Sequence, residues 1–321
     1  MDRLTAMQTF ARVAELGSFT GAAKSLQLPN ASVSLRVAQL EEHLGVKLLS
    51  RTTRRVSLTE DGAAYLAEAQ RLLQALEDLE ARTAGAVRSP RGRLRVDVPA
   101  VAGRHVLAPA LPAFLMQYPE MTVELGSSDR PVDLVPEGVD CVIRGGLVHD
   151  DQLVARSLGA FEVVTCASPA YLARHGTPRS PEELSRHLAV NFFSAKTGRV
   201  FDFEFERDGR RFEIALAHRA AANDADAHVA LALAGLGLAQ CPRTRIIAEH
   251  IAAGRLVPVL ADWSAGRLPL YVMYPRNRHL SARVRAFVDW VVELYAAKFE
   301  QLETGAGLPG KRTSPRPRAR R

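Results

Sequence analysis

The punctuation of the first 58 residues constrains this chain more than any other feature. Through residues 3–16, Leu4, Met7, Phe10, Ala11, Val13 and Ala14 recur at three-and-four spacing, the period of one helix face. Gly17 stops that helix. Ser18 or Thr20 can cap a short second helix through GAAKSL, which Leu28-Pro29 breaks. Asn30 can cap a third helix, 31–43, whose buried stripe is Val33, Val37, Leu40 and Leu44; Gly45 ends it. KLLS and RRVSL follow as two short strand-like runs around Arg51-Thr52-Thr53-Arg54. Three helices and a hairpin in this span make a winged helix-turn-helix.

That geometry points to DNA. A helix fits the major groove, and side chains near the start of a recognition helix reach base edges. The outward positions of the third helix are Ser32, Ser34 or Leu35, Arg36 and Gln39. Arg36 can donate a bidentate pair to guanine, while Asn30, Ser32 and Ser34 can read edges or grip phosphate. Ser18 and Thr20, at the start of the second helix, join them as candidate contacts. Arg51, Arg54 and Arg55 on the wing can hold phosphates or enter the minor groove. A second reading stands beside this one: a three-helix module that binds protein and carries a solvated basic face.

Residues 59–88 read as one long helix. Thr59 caps it, and Glu60 and Asp61 sit where the positive end of the helix dipole favours acids. Leu66, Ala69, Leu73 and Leu76 form a heptad-like seam, with Leu72 and Leu79 beside it. The head is too small to cover that seam, so pairing with a second copy is the natural solution. The alternative is an ordinary helix bridging two domains.

From residue 89, after the linker SPRGR begins, the pattern changes. LRVDVPA, MTVEL, CVIRGG, FEVVTCA, LGLAQC and LPLYVMYP read as strands. Between them lie helical stretches: HVLAPALPAFLMQY, the segment around 131–137, PAYLARH, DADAHVALALAG, RTRIIAEHIAAG and SARVRAFVDWVVELYAA. Such alternation predicts an α/β architecture with mostly parallel sheets. The span is large for one small sheet, which predicts two lobes with a ligand crevice at the strand carboxyl ends. The expected organisation is multi-domain: a winged helix-turn-helix over 1–58, a linker or dimerisation helix over 59–88, a two-lobed α/β effector-binding domain over 89–302, and a basic, disordered tail over 303–321.

Charge follows the same divisions. The net charge of +7 suggests nucleic acid, but residues 1–58 carry +4, residues 59–90 carry −3 and residues 303–321 carry +5, leaving residues 91–302 near +1. A large, nearly neutral body does not suit a protein that wraps nucleic acid over its whole surface. Cys141, Cys166 and Cys241 are far apart and form no CxxC pair, which argues against a zinc site or a disulfide framework and for a reduced cytosol. The start lacks the apolar run of a signal peptide, and the longest apolar run, near 229–239, is too short to span a bilayer. The chain reads as soluble and cytoplasmic, with no membrane partner.

Two long stretches of the head, MQTFARVAELGSFTGAAKSL and VSLRVAQLEEHLGVKLLSRTTRRVSLTEDG, resemble the LysR-type transcriptional regulators in order and spacing. In the body, GRLRVDVP, SDRPVDLVPEGVDCVIRGG, SPAYLARHG and LYVMYPRNRHLSARVRAFVDWV carry the resemblance on to about residue 300. The resemblance implies a winged helix-turn-helix, a dimerising linker helix and a two-lobed domain like the type 2 periplasmic binding proteins. It further implies a tetramer, a promoter dyad in double-stranded DNA and a small-molecule effector in the cleft. It places effector contacts at Ala100 and Val101, at Ser127 and Ser128, and near Phe193, Ser194 and Asn223. Each serine reads equally as a turn cap. Arg144 follows an apolar strand, and either meets an anionic ligand or pairs with a local carboxylate. Two positions depart from the family pattern. Leu49 stands where many members have Phe, which alters packing alone. Leu35 stands where many have Arg, Lys or Gln; an apolar side chain touches a thymine methyl but cannot hydrogen-bond guanine.

Enzyme readings find little support. GLG at 235–237 lacks a third glycine and follows a helix, unlike a nucleotide loop. His149-Asp150-Asp151 reads as solvated loop. Ser127-Ser128 lacks the glycine frame of a nucleophile elbow. Cys166 sits in an apolar strand as a packed thiol. The expectation is a non-enzyme with no cofactor and no metal. The alternatives to a regulator are a cytoplasmic small-molecule-binding protein and a DNA-architectural protein without effector control.

Overall fold

The computed structural model describes residues 2–51, 56–83, 90–146, 152–207, 210–276 and 280–304. The chain divides into two compact units, residues 1–88 and 89–321.

In the first unit, α1 (Arg3–Leu16) is capped by Asp2, whose carboxylate accepts from the Leu4 and Thr5 amides, and ends at Gly17 in the left-handed region. The αL conformation costs a glycine little and most other residues much. Ser18 caps α2 (Phe19–Leu26), its Oγ accepting from the Gly21 amide at 3.1 Å. α3 spans Asn30–Leu44. Here the structure corrects the expected cap: Pro29 precedes the helix, no side chain caps it, and Asn30 is its first residue. The Asn30 amide instead donates to Thr20 Oγ1 at 3.3 Å and ties α3 to α2. The expected stripe is corrected at its end. Val33, Val37 and Leu40 are buried, but Leu44 is 37% exposed and Glu41 is buried in its stead. β1 (Leu49–Arg51) and β2 (Val56–Leu58) pair antiparallel.

α4 (Glu60–Thr83) starts at Thr59, whose Oγ1 accepts from the Gly62 amide at 2.9 Å. Its first turns belong to the head: Tyr65 and Leu66 pack on the core of Phe10, Val13, Val33, Val37 and Leu48. Ala69 is buried as well. Farther along, Leu72 is 60% and Leu79 51% exposed, and they form an apolar edge.

The second unit opens with β3 (Gly92–Val98), then α5 (Ala100–Ala102), a π turn (Gly103–Leu107) and α6 (Ala108–Gln117). β4 (Met121–Ser127), α7 (Leu134–Glu137), β5 (Cys141–Gly145) and the 15-residue β6 (Leu153–Ala167) follow. Next come α8 (Pro169–His175), a 3-10 turn (Pro181–Arg186), β7 (Ala189–Phe192), β8 (Phe203–Arg207), β9 (Arg210–Ile214) and β10 (His218–Ala222). The unit ends with α9 (Ala225–Leu233), β11 (Ala239–Pro242), α10 (Arg245–Ala252), β12 (Val257–Pro258), β13 (Arg267–Pro275) and α11 (Ala282–Thr304).

The largest sheet runs in the order β11-β6-β13-β5-β3-β4, with β12 also on β6. Among the described strands, β4-β3-β5 and the separate pair β7-β10 are parallel, whereas β13 is antiparallel to both β5 and β6, and β11 is antiparallel to β6. The expectation of mostly parallel sheets is therefore corrected. The reason lies in the path. β6 leads from one half of the unit into the other and β13 returns, and two strands that run out and back alongside each other must be antiparallel.

Separate cores define the two lobes. The first holds Val96, Val98, Phe114, Ile143, Val272, Phe287, Val291 and Tyr295. The second has an apolar layer on each face of its sheet, one around Tyr171, Leu184, Phe203, Phe205 and Leu238, the other around Cys166, Val190, Ala232, Cys241 and Ile247. Burial holds the Tyr295 hydroxyl far above its ordinary value.

His228 lies in the second of these layers, only 4% exposed. Its Nε2 is 2.9 Å from the Val190 carbonyl oxygen, which can only accept, so Nε2 carries the proton and Nδ1 faces Cys241 Sγ at 3.7 Å. Burial lowers the His228 pKa, the Val190 bond opposing it. The unfolded chain therefore takes up a proton near pH 6.5 that the native state refuses, and stability falls as pH drops below that value. Thermal midpoints between pH 8 and pH 5 should decline with at most about 1.4 kcal/mol per pH unit from this one group. His228→Gln, which keeps a donor for Val190, should flatten that part of the curve; an unchanged slope would show that the native state protonates there freely.

Candidate nucleic-acid interface and ligand cleft

The candidate recognition surface comprises the start of α2 and the outer face of α3. Thr20 and Asn30 are exposed and bonded to each other, so the two helix starts form one polar patch. Ser32, Ser34 and Arg36 are half-buried, and Leu35 is 59% exposed. Arg36 forms no ion pair or hydrogen bond among the described residues; its field is felt weakly by Asp2, whose carboxylate is held low first by the Thr5 hydroxyl. Ser18 spends its oxygen on the α2 cap. Arg51 ends β1 opposite Val56. Arg54 and Arg55 lie outside the described residues, as do His149-Asp150-Asp151 and the segment 305–321.

Sequence reasoning passed over Glu41, which joins the recognition helix to the wing. Its Oε1 accepts from the Leu48 and Leu49 amides at 2.9 and 3.1 Å, and its Oε2 pairs with Lys47 Nζ at 2.8 Å. Burial acts to raise its pKa, yet the Lys47 bond and the two amides hold it below the ordinary value. The signal was present, since Glu41 stands four residues after Val37 on the buried stripe.

In the second unit the candidate effector residues gather at strand carboxyl ends. Ala100 and Val101 open the helix after β3, Ser127 ends β4, Phe193 and Ser194 follow β7, and Asn223 follows β10. Gly103 lets that helix approach β4, because a Cβ there would lie 2.5 Å from Ser127 Oγ. Ser127 Oγ donates to the Ala100 carbonyl at 3.4 Å. The Ser128 amide donates to the Val98 carbonyl at 2.9 Å, while its hydroxyl is buried with no partner among the described residues. Ser194 caps its own turn, Oγ accepting from the Lys196 and Thr197 amides at 3.3 Å. Asn223 is exposed. Arg144 forms an ion pair with Asp97, and donates to the Ile143 and Arg130 carbonyls at 2.8 and 3.1 Å, so of its two sequence readings the local carboxylate is the partner seen.

Four side chains that sequence reasoning did not single out lie where the lobes meet. Asp129 accepts from the Ala100 amide at 3.2 Å and from the Ala225 amide at 3.0 Å, one on each lobe. Arg104 of the π turn pairs with Asp226 at the start of α9, and His105 Nε2 lies 4.0 Å from the same carboxylate. Burial raises the Asp129 pKa; the two amides oppose this, Asp224 adds to it and Arg144 opposes it. Among the described residues no three His, Cys, Asp or Glu side chains are arranged to hold a metal ion, and no helix is long and apolar enough to cross a membrane.

Comparison with known proteins places both units. Residues 4–63 match the family described as bacterial regulatory helix-turn-helix protein, lysR family, and residues 88–296 match the LysR substrate binding domain. An HTH-type transcriptional repressor of Pseudomonas aeruginosa (strain UCBPP-PA14) is 45% identical over 297 residues, covering 92% of this chain and 93% of its own. The HTH-type transcriptional regulator CrgA of Neisseria meningitidis serogroup C is 37% identical over 291 residues, with 89% and 95% covered. The solved structure of CrgA, a LysR-type transcriptional regulator from Neisseria meningitidis, aligns with a TM-score of 0.56 at 34% identity, over 91% of this chain and 98% of that one. Full-length AphB, the Vibrio cholerae virulence activator, aligns with a TM-score of 0.56 at 29% identity, over 90% and 98%.

Proposed function

Because the chain belongs to the LysR family of transcriptional regulators, with that family's helix-turn-helix and substrate-binding domains, we propose that it binds a promoter dyad as an oligomer and answers to a small molecule held between its two lobes. Arg36 reads a guanine, Leu35 meets a thymine methyl, and Thr20, Asn30, Ser32 and Ser34 supply edge and phosphate contacts. Arg51, Arg54 and Arg55 act on phosphates. The apolar edge of α4 at Leu72 and Leu79 supports pairing with a second copy. The turns at Ala100, Val101, Ser127, Ser128, Phe193, Ser194 and Asn223 line the effector cleft. Its place of action is the cytoplasm, and its chemistry is binding without catalysis.

One observation carries the DNA assignment. Arg36 stands on the helix that Val33, Val37 and Leu40 hold to the head core, and it forms no ion pair or hydrogen bond among the described residues. An arginine left free on a recognition helix has base edges within reach. Operator DNA obtained by binding-site selection, compared with scrambled DNA across a salt series, tests it. Arg36→Ala should cost about 1–3 kcal/mol on the operator and relax choice at one position per half-site. Arg54→Ala should weaken both DNAs alike and lower the salt slope by about one unit. Equal loss on both DNAs for Arg36→Ala would make that arginine a phosphate clamp.

A further inference from the structure

We propose that Asp129 is a positioning residue that clasps the two lobes, setting the resting closure of the cleft before any effector arrives. One carboxylate reaches both lobes at once. Its Oδ1 takes the Ala100 amide, at the start of the helix that follows β3, and its Oδ2 takes the Ala225 amide, the first residue of α9. Both are helix-start amides that have no partner within their own helix and so require an acceptor from elsewhere. An ionised carboxylate with one oxygen for each lobe meets both needs together, and charge-assisted bonds of this kind are stronger than neutral ones. α5 and α9 touch along this seam, and the Arg104–Asp226 ion pair crosses it beside the clasp.

The regulatory consequence rests on the reading that the effector enters this cleft; the clasp itself does not. Each conformational state of the unit must keep or break the Asp129 bonds, and an effector that favours a more open state must supply the difference in free energy.

Amide hydrogen exchange on the full chain, without DNA or effector, tests the clasp. In Asp129→Ala the amides of Ala100 and Ala225 should exchange at least about tenfold faster, the factor expected for losing a hydrogen bond to a charged group. Amides of β3, β13 and α11 should keep their protection. Asp129→Asn has a single acceptor oxygen, so it should protect one of the two amides and release the other, an asymmetry that general loosening would not produce. Distances between spin labels placed on α6 and α10 should broaden in the alanine variant and stay narrower in the asparagine one. Unchanged exchange at both amides would overturn the proposal. So would a uniform rise that includes β3 and α11, or failure of both variants to fold, since each would make Asp129 part of the fold and not a clasp. Failure to find any effector would leave these outcomes intact and would count only against the reading of the cleft.

Discussion

Gly62→Ala should strip the protein of operator binding while its α/β unit still melts as before. A Cβ on Gly62 would lie 1.9 Å from the Leu48 carbonyl oxygen and 2.8 Å from its carbon. That carbonyl cannot retreat easily. It accepts from the Thr59 amide at 3.0 Å, and the Leu48 and Leu49 amides on the same stretch are held by Glu41. The Leu48 side chain is itself buried in the head core. A methyl group therefore forces α4 away from the wing or pulls the wing off α3. Overpacking against backbone at one site costs about 3 kcal/mol or more, a large share of the stability of a domain this small. The checks are a melting curve of the head signal and operator affinity for the variant. A variant that melts and binds like the parent would show that the head absorbs the methyl by a shift the contacts do not suggest.

Arg144→Ala should destabilise the second unit by about 3–5 kcal/mol, the cost of leaving one member of a buried ion pair alone. The Asp97 side chain is 12% exposed and that of Arg144 18%. The Asp97 carboxylate also lies against Gly126, where a Cβ would come within 2.4 Å of Oδ2, so water has little room to replace the guanidinium. Asp97→Asn in the same chain should recover part of the loss by removing the orphaned charge, because a buried charge without a partner is the costly species. Thermal unfolding without added ligand decides the matter. A midpoint unchanged in Arg144→Ala, together with a lost response to a small molecule, would return that arginine to the effector.

Much of the local structure was legible because helices and turns are written in neighbouring residues. Val33, Val37 and Leu40 declare a face through contacts three and four positions apart, and Ser18, Thr59 and Gly17 mark ends through groups within one turn. Every helical stretch read in the body lies at or around a helix of the structure. Strands fared differently. β7, β8, β9 and β10, at 189–222, are absent from the sequence reading: FEFER does alternate, with Phe203 and Phe205 buried, but is only five residues long, and HRAAA mixes charge with small residues that announce no face. Asn30 was read as a cap because its side chain suits one, but Pro29 had already set the backbone ahead of it, leaving that side chain for Thr20.

By itself, then, the sequence determined the winged head, the long helix after it, an α/β body and the membership of a regulator family, all of which rest on short-range periodicity and motif spacing. Only the tertiary structure decided which strands run antiparallel, that Arg144 is taken by Asp97 and that Asp129 spans the cleft. Those partners lie 47 residues apart for Arg144 and Asp97, and 29 and 96 apart for Asp129 with Ala100 and Ala225. Asp97, Ala100, Asp129 and Arg144 all lie before the crossing along β6, and Ala225 lies beyond it. No local pattern encodes which side chains meet across such separations, because that is settled by tertiary packing.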